Sequence, residues 1–281
     1  LHSHSTASDG TLSPRDLVFR AAGAGVCVLA LTDHDTTEGI EEASAAARES
    51  GIDLVPGVEI SVTWGGQTVH IVGLHVDPEN PTLQEGLARL REFRGWRAEE
   101  IGRRLAKRNI DGAFEGAKAL SNGRLISRTH FARFLVGRRI AKDEQEVFKH
   151  YLIHGKPGHV PGRWAELVDA ISWIRGAGGQ AVIAHPARCK MTRTKLRRLI
   201  SEFKAAGGAA LEVVSGSHSR DDYYTMARHA RDFDLMGSAG SDFHNPENPW
   251  IELGRLPALP DGCIPVWRDW SAPPRCRRSV A

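Results

Sequence analysis

Short apolar runs alternate with helix-like stretches along most of this 281-residue chain. Six runs, at 26–31, 53–58, 68–72, 180–184, 209–214 and 236–240, have the length and composition of buried strands. Between them, 14–24, 38–49, 165–175, 194–206 and 221–233 carry apolar positions at helical spacing. The first helix has a readable start. Ser13 is a capping residue, Pro14 takes the first turn and Asp16 follows three positions on. Gly23 and Gly25 stop it. Strand–helix alternation predicts an α/β fold built on a parallel sheet or barrel. Leu1 reads as the remnant of a further strand, giving about seven β/α units.

Residues 82–164 break the rhythm. Leu83, Leu87, Leu90, Phe93, Ile101 and Leu105 lie near helical spacing, and 129–136 and 144–152 also read as helices. This stretch is expected to be a small helical insertion that ends in the Gly/Pro-rich HGKPGHVPG. The predicted organisation is therefore 1–81 as the first part of the body, 82–164 as the insertion and substrate-binding lid, and 165–281 as the second part. The tail after about Ala258 is expected to be poorly ordered or locally docked, and no function is assigned to it.

Composition narrows the class. Hydrophobic residues at 41% and charged residues at 25% are ordinary for a globular protein. No apolar run is long enough for a transmembrane helix. Cys27, Cys189, Cys263 and Cys276 form no C-x-x-C pair. That spacing excludes a zinc ribbon and predicts reduced thiols in a cytoplasmic protein. Net charge is only +3, but its distribution is uneven. Residues 82–164 hold 18 Lys and Arg against 9 Asp and Glu, leaving 19 basic and 25 acidic residues elsewhere. An acidic body with a basic attachment suggests an anionic substrate between them, the alternative being a solvated basic surface.

The chemistry sits where the strands end. His2, His4, Asp9, His34, Glu59, His70, His185, Asp242 and His244 nearly all stand at or just after an apolar run. Imidazole and carboxylate hold Zn²⁺, Mn²⁺ or Fe²⁺. Nine such groups are too many for one ion and enough for two or three. His2 and His4, and likewise Asp242 and His244, stand at i and i+2, which share a face in extended chain. Strand ends that converge on one cluster favour a closed or distorted barrel over an open doubly wound sheet. His150, His154, His159 and His229 lie among polar or helical residues and read as solvated surface.

The segments HSHSTASDG, TDHDT, PGVEIS, VHIVGL, AHP and GSDFH, in that order, resemble the PHP (polymerase and histidinol phosphatase) superfamily. The resemblance spans essentially the whole chain. REFRGWR, GRLISRTHFARFL and GKPGHVP further resemble the bacterial 3′,5′-nucleoside bisphosphate phosphatases that also act as 5′→3′ exonucleases on short RNA. It implies a distorted (β/α)7 barrel of PHP type with a trinuclear metal centre, with all nine residues as ligands. Clustered divalent ions lower the pKa of a shared water and polarise a phosphoryl oxygen, which implies in-line attack by hydroxide on a phosphate ester. The substrate would be a nucleotide or short oligoribonucleotide. No membrane role and no protein partner are inferred.

Roles follow as expectations. Glu59 is the best candidate to bridge two ions, and Asp9 joins it as a catalytic carboxylate. Asp33 and Asp35 flank His34 and are expected to orient imidazoles, unless Asp35 merely starts a helix. His218 is expected to contact phosphate or protonate the leaving oxygen, or else to cap the next helix. Arg94, Arg97, Arg128, His130 and Arg188 are candidate substrate contacts, with arginine forks suited to phosphate. Trp96 is available to stack a base, or is a core aromatic. No Walker or Rossmann glycine pattern occurs, so a bound nucleotide would be substrate. The competing readings are a small-molecule phosphomonoesterase, such as a histidinol-phosphate phosphatase, and a non-catalytic metal-stabilised PHP module.

Overall fold

The computed structural model describes residues 1–247 and 250–270. Six strands form one curled sheet in sequence order: β1 (Val28–Leu31), β2 (Asp53–Trp64), β3 (Gln67–Leu74), β4 (Gln180–Ile183), β5 (Ala210–Ser215) and β6 (Met236–Gly240). β1 and β2 are parallel, as are β4, β5 and β6. β3 is antiparallel to both of its neighbours. The expectation of uniform β/α units is corrected at this strand. Gly65 and Gly66 both take positive φ, 54° and 77°, and fold β2 directly onto β3 as a hairpin. Apolar alternation alone does not encode strand direction.

Residues 1–4 complete the curve. Leu1 donates its amino group to the Ala239 carbonyl, Asp242 N–H donates to His2 O and His4 N–H to Phe243 O. On the other side Thr32 N–H donates to Ser3 O at 3.0 Å. The N-terminal segment thus lies between the extensions of β6 and β1, as a distorted barrel requires.

Helices α1 (Pro14–Gly23) and α2 (Ile40–Ser50) cover one flank. The Ser13 hydroxyl accepts from Asp16 N–H, the expected cap. Between β3 and β4 lie α3 (Pro81–Ala106), α4 (Ala113–Leu120), α5 (Arg128–Gly137), α6 (Glu144–Val147) and a π-helical turn at Phe148–Leu152. Ile101, Leu105, Ala117, Phe131, Leu135 and Leu152 are the centre of a core of their own there. The buried stripe of α3 begins with Leu83, Leu87 and Leu90, then continues as Arg94 and Arg97. A helix with two arginines on its buried face must aim them at something polar. Helices α7 (Leu167–Gly176), α8 (Arg193–Ala205) and α9 (Arg220–Asp232) pack on the main core.

Of its two expected forms the tail takes the docked one as far as it is described: Val266 N–H bonds Gly237 O, and Trp270 Nε1 donates to Gln180 Oε1. Its remainder lies outside the described residues. Two further expectations change. His229 is buried in α9 rather than solvated. Cys189 and Cys263 are free thiols, but Cys27 is disulfide-bonded, because distance in sequence does not keep thiols apart in a fold. Cys276 lies outside the described residues.

Candidate metal centre and substrate cavity

All nine residues meet at the end of the sheet where β1 and β6 run on into loops. Glu59 lies inside β2, opposite Val72, and is fully buried. Five imidazoles point at it. His70 Nδ1 and His185 Nε2 approach Oε1 at 2.9 and 3.1 Å. His34 Nδ1, His4 Nε2 and His2 Nε2 approach Oε2 at 2.9, 3.3 and 3.4 Å. His4 and His2 also face Asp242 Oδ1 at 3.3 and 3.6 Å. His244 Nε2 faces Asp9 Oδ1 at 3.3 Å. The His2 and His4 rings lie side by side, centroids 5.1 Å apart, while Ser3 between them turns away and donates to Ala30 O. The i, i+2 geometry holds as expected.

Three overlapping groups could each hold a cation: His4, Asp9, His34 and His244; His2, His4, Glu59 and Asp242; and His34, Glu59 and His70. The donor set fits divalent ions on a second count. His4 Nδ1, Asp9 Oδ1, His34 Nδ1, Glu59 Oε2 and His70 Nδ1 are buried without a hydrogen-bond partner among the described residues. Buried polar atoms are normally satisfied, and lone pairs aimed at one another call for a positive charge between them.

Titration follows the same logic. Burial alone would raise Asp9, Glu59 and Asp242, yet the surrounding imidazoles hold all three well below the ordinary carboxylate range. Burial lowers His4 and His185. Contacts with Asp242 and Glu59 lift His4 to about 9, and those with Cys189, Glu59 and Asp242 lift His185 to about 10. At His70 burial wins, and its pKa falls to about 4. The backbone is strained here as well. His185 and Asp242 take φ of 29° and 57°, a region that side chains normally avoid and that functional sites retain.

A feature the sequence reading passed over holds two of these residues. Glu212, buried in β5, accepts from His2 Nδ1 at 2.7 Å through Oε1 and from the His185 backbone N–H at 2.6 Å through Oε2. Its signal is a single charge in the apolar run ALEVV. Asp33 and Asp35, by contrast, do not touch imidazoles. Asp33 accepts from Ser5 and Ser8 and fixes the loop after His4. Asp35 accepts from Arg94 Nε at 2.6 Å and from Ser61 N–H.

A cavity of about 590 Å³ opens over the cluster. Arg94, Arg97, Arg128 and Arg188 line it. Arg94 is fixed by Asp35 and Ser61, Arg97 by the Val160 carbonyl, and Arg188 by Asp242 at 2.9 Å. Among the described residues the Arg128 guanidinium has no hydrogen-bond or ion-pair partner and lies over Phe148. Burial, then Arg128 and Arg94, depress Arg97 to about 9. Burial, then Arg94 and Arg188, also lower Arg128. Crowded cations in a half-buried cavity are a receptor for an anion.

The other substrate candidates lie elsewhere. Trp96 is 55% exposed on the outside of α3 and does not line the cavity; Trp164 does, with Arg94 and Arg97 stacked 4.8 and 5.4 Å from its ring. His130 is buried and caps α5: its Nδ1 accepts from Ser127 N–H at 3.0 Å. His218 is tied through Nδ1 to Val213 O and through Nε2 to Ala187 N–H, so neither nitrogen is available to a leaving group. Conversely His154 and His159, expected on open surface, line the cavity rim, their rings 5.3 Å apart. α5 also reaches the cluster, Thr129 Oγ1 donating to Asp9 Oδ2 and Arg133 to Asp9 O.

This fold and cluster define a class of phosphate-ester chemistry, and comparison with known proteins identifies it. The PHP domain family model matches residues 1–156, and the chain belongs to that family. The chain is 51% identical over 97% of its length, and 96% of the relative's, to the 3′,5′-nucleoside bisphosphate phosphatase of Chromobacterium violaceum. It is 46% identical over 97% of its length, and 94% of the relative's, to the 5′-3′ exoribonuclease Rnm of Escherichia coli. A solved amidohydrolase structure from Chromobacterium violaceum, with bound sulfate and no metal, superposes at a TM-score of 0.92, with 51% identity over 95% of this chain and 93% of that one.

Proposed function

We propose that this chain is a metal-dependent phosphoesterase that removes phosphate from nucleoside 3′,5′-bisphosphates and degrades short RNA from its 5′ end. The observation that carries the reading is one cavity in which seven of the nine imidazole and carboxylate groups adjoin four arginines, Arg128 among them without an anionic partner among the described residues. Its similarity to a bisphosphate phosphatase and an exoribonuclease supports the same substrate class.

Two or three divalent ions, of Mn, Fe or Zn type, fit His2, His4, Asp9, His34, Glu59, His70, His185, Asp242 and His244. Bound there, such ions supply Lewis-acid polarisation and a water of lowered pKa. The protein's own residues do the rest. Glu59, faced by five imidazoles, would be the central ligand of such a group, and Asp9 is held in place by Thr129 and Arg133. Arg188 and Arg128 grip the phosphate being cleaved, and Arg94 and Arg97 neutralise a second phosphate deeper under Trp164. Residues 82–164 serve as the substrate-binding lid. No described helix is long and apolar enough to cross a membrane, and we place the enzyme in the cytoplasm with its nucleotide substrate.

Hydrolysis of a 3′,5′-bisphosphate, a 5′-phosphorylated short RNA and histidinol phosphate, measured side by side, tests the reading. It predicts turnover of the first two at far higher kcat/KM than the third. A preference for histidinol phosphate would replace it with the small-molecule phosphomonoesterase, and no turnover of any would leave a metal-stabilised module.

A further inference from the structure

Trp164, on the cavity wall, adjoins two further aromatic rings. It meets Phe93 edge to face at a centroid distance of 4.9 Å and 90°, and Phe93 stacks on Trp96 at 5.5 Å and 30°. Three aromatic rings therefore run without a break from the cavity wall to the outer surface of α3. Trp96 spends one face on Phe93, and its 55% exposure leaves the other to solvent. Phe93 also falls outside the buried stripe of its helix, so packing of α3 does not require an aromatic pair here.

We infer that Trp164, Phe93 and Trp96 form a stacking track that extends the substrate cavity and carries the bases of a single-stranded oligoribonucleotide away from the centre, Trp96 taking the outermost base. The inference rests on the nucleotide reading above and gives it a length dependence. Continuity with the cavity selects the occupant. A strand whose phosphate lies at the arginines must send its remaining nucleotides out past Trp164. Cations gather at the inner end: Arg97 lies 5.4 Å from the centre of the Trp164 ring, and Lys190, on the cavity lining, is exposed and without an ion-pair partner among the described residues. The outer end is different. Glu92 and Glu99 lie one turn either side of Trp96, so that step holds a base by its π face and not a phosphate by charge. Aromatic stacking accepts any base, which suits an enzyme that shortens RNA regardless of sequence.

The test uses the metal-loaded enzyme and fluorescently labelled phosphorothioate ribonucleotides, which resist cleavage. Anisotropy gives Kd for a dimer and a hexamer with the wild type, Trp96→Ala and Trp96→Leu. Leucine keeps apolar cover on Phe93 and removes the ring. Both variants should weaken hexamer binding by roughly five- to 150-fold, the range for one stacked base, and weaken the dimer distinctly less. A hexamer lacking its outer bases should bind the wild type as the full hexamer binds Trp96→Ala. Equal losses on dimer and hexamer, unchanged hexamer binding in both variants, or no dependence on the bases each overturn the track. Failure of the enzymatic reading looks different: the wild type would then hydrolyse no nucleotide, whatever its binding curve shows.

Discussion

Glu212→Gln perturbs the proposed centre without replacing a ligand. The carboxylate accepts two hydrogen bonds in a fully buried position, from His2 Nδ1 at 2.7 Å and from His185 N–H at 2.6 Å. Together they turn His2 Nε2 toward Glu59 and hold the strained turn at His185, whose φ is 29°. Glutamine has the same shape but only one acceptor oxygen. If its oxygen faces His185, its NH₂ faces His2 Nδ1 and favours the tautomer that puts a proton on Nε2, the nitrogen offered to the ion. If it faces His2, two N–H groups collide at His185. One charge-assisted bond is lost either way, about 1.5–3 kcal/mol. Carboxylates behind a ligating imidazole typically contribute 10- to 100-fold in metal affinity, which agrees with that energy. The assay is competition between the protein and a chelator for Mn²⁺, with thermal melting to confirm folding. The expected result is affinity weaker by roughly 10- to 100-fold, with activity largely recovered at saturating Mn²⁺. Affinity within twofold of wild type in a folded variant would refute the argument.

Arg128→Ala should raise KM for a nucleoside bisphosphate roughly ten- to hundredfold, one charge-assisted contact, and leave metal content unchanged; a wild-type KM would remove Arg128 from the substrate site. His130 predicts an acid weakness. Burial, ahead of its neighbouring charges, lowers its pKa to about 4, so the unfolded chain binds a proton that the fold refuses as pH falls from 6.5 toward 4. Stability should drop by about 2 kcal/mol by pH 5 from this group alone. His130→Gln keeps a capping side chain at the same helix position and should lose that much less in urea melts at pH 5 than at pH 8. Equal acid losses in both proteins would show that His130 is not the cause.

Much of this was legible because each ligand stands beside an apolar run, and buried strands announce themselves. β6 begins and ends where its pattern predicts, and Ser13-Pro14 caps α1 as its residue types require. The reversed β3 was not readable from apolar alternation, although Gly65-Gly66 between Trp64 and Gln67 is a hairpin signal in plain view. Arg94 and Arg97 were named as arginine forks; the buried stripe of Leu83, Leu87 and Leu90 continues through them and not through Phe93, which the helical spacing had included. Trp164, His154 and His159 could not be placed: they sit in an irregular Gly/Pro-rich stretch where no period tells inside from outside. His218 was read as near the substrate because it follows a strand-like run, and Trp96 because it stands in the basic insertion. Their positions depend on which face of a helix or turn meets the cavity, and that is decided by packing.

The central claim is that nine imidazole and carboxylate groups build a multinuclear centre that does the chemistry. Elemental analysis of the purified, active enzyme against its rate on a 3′,5′-bisphosphate tests it most directly. The account predicts two to three divalent ions per chain, activity abolished as chelation removes them, and loss of both ions and rate in Glu59→Ala. Full activity at one ion per chain or fewer would contradict it.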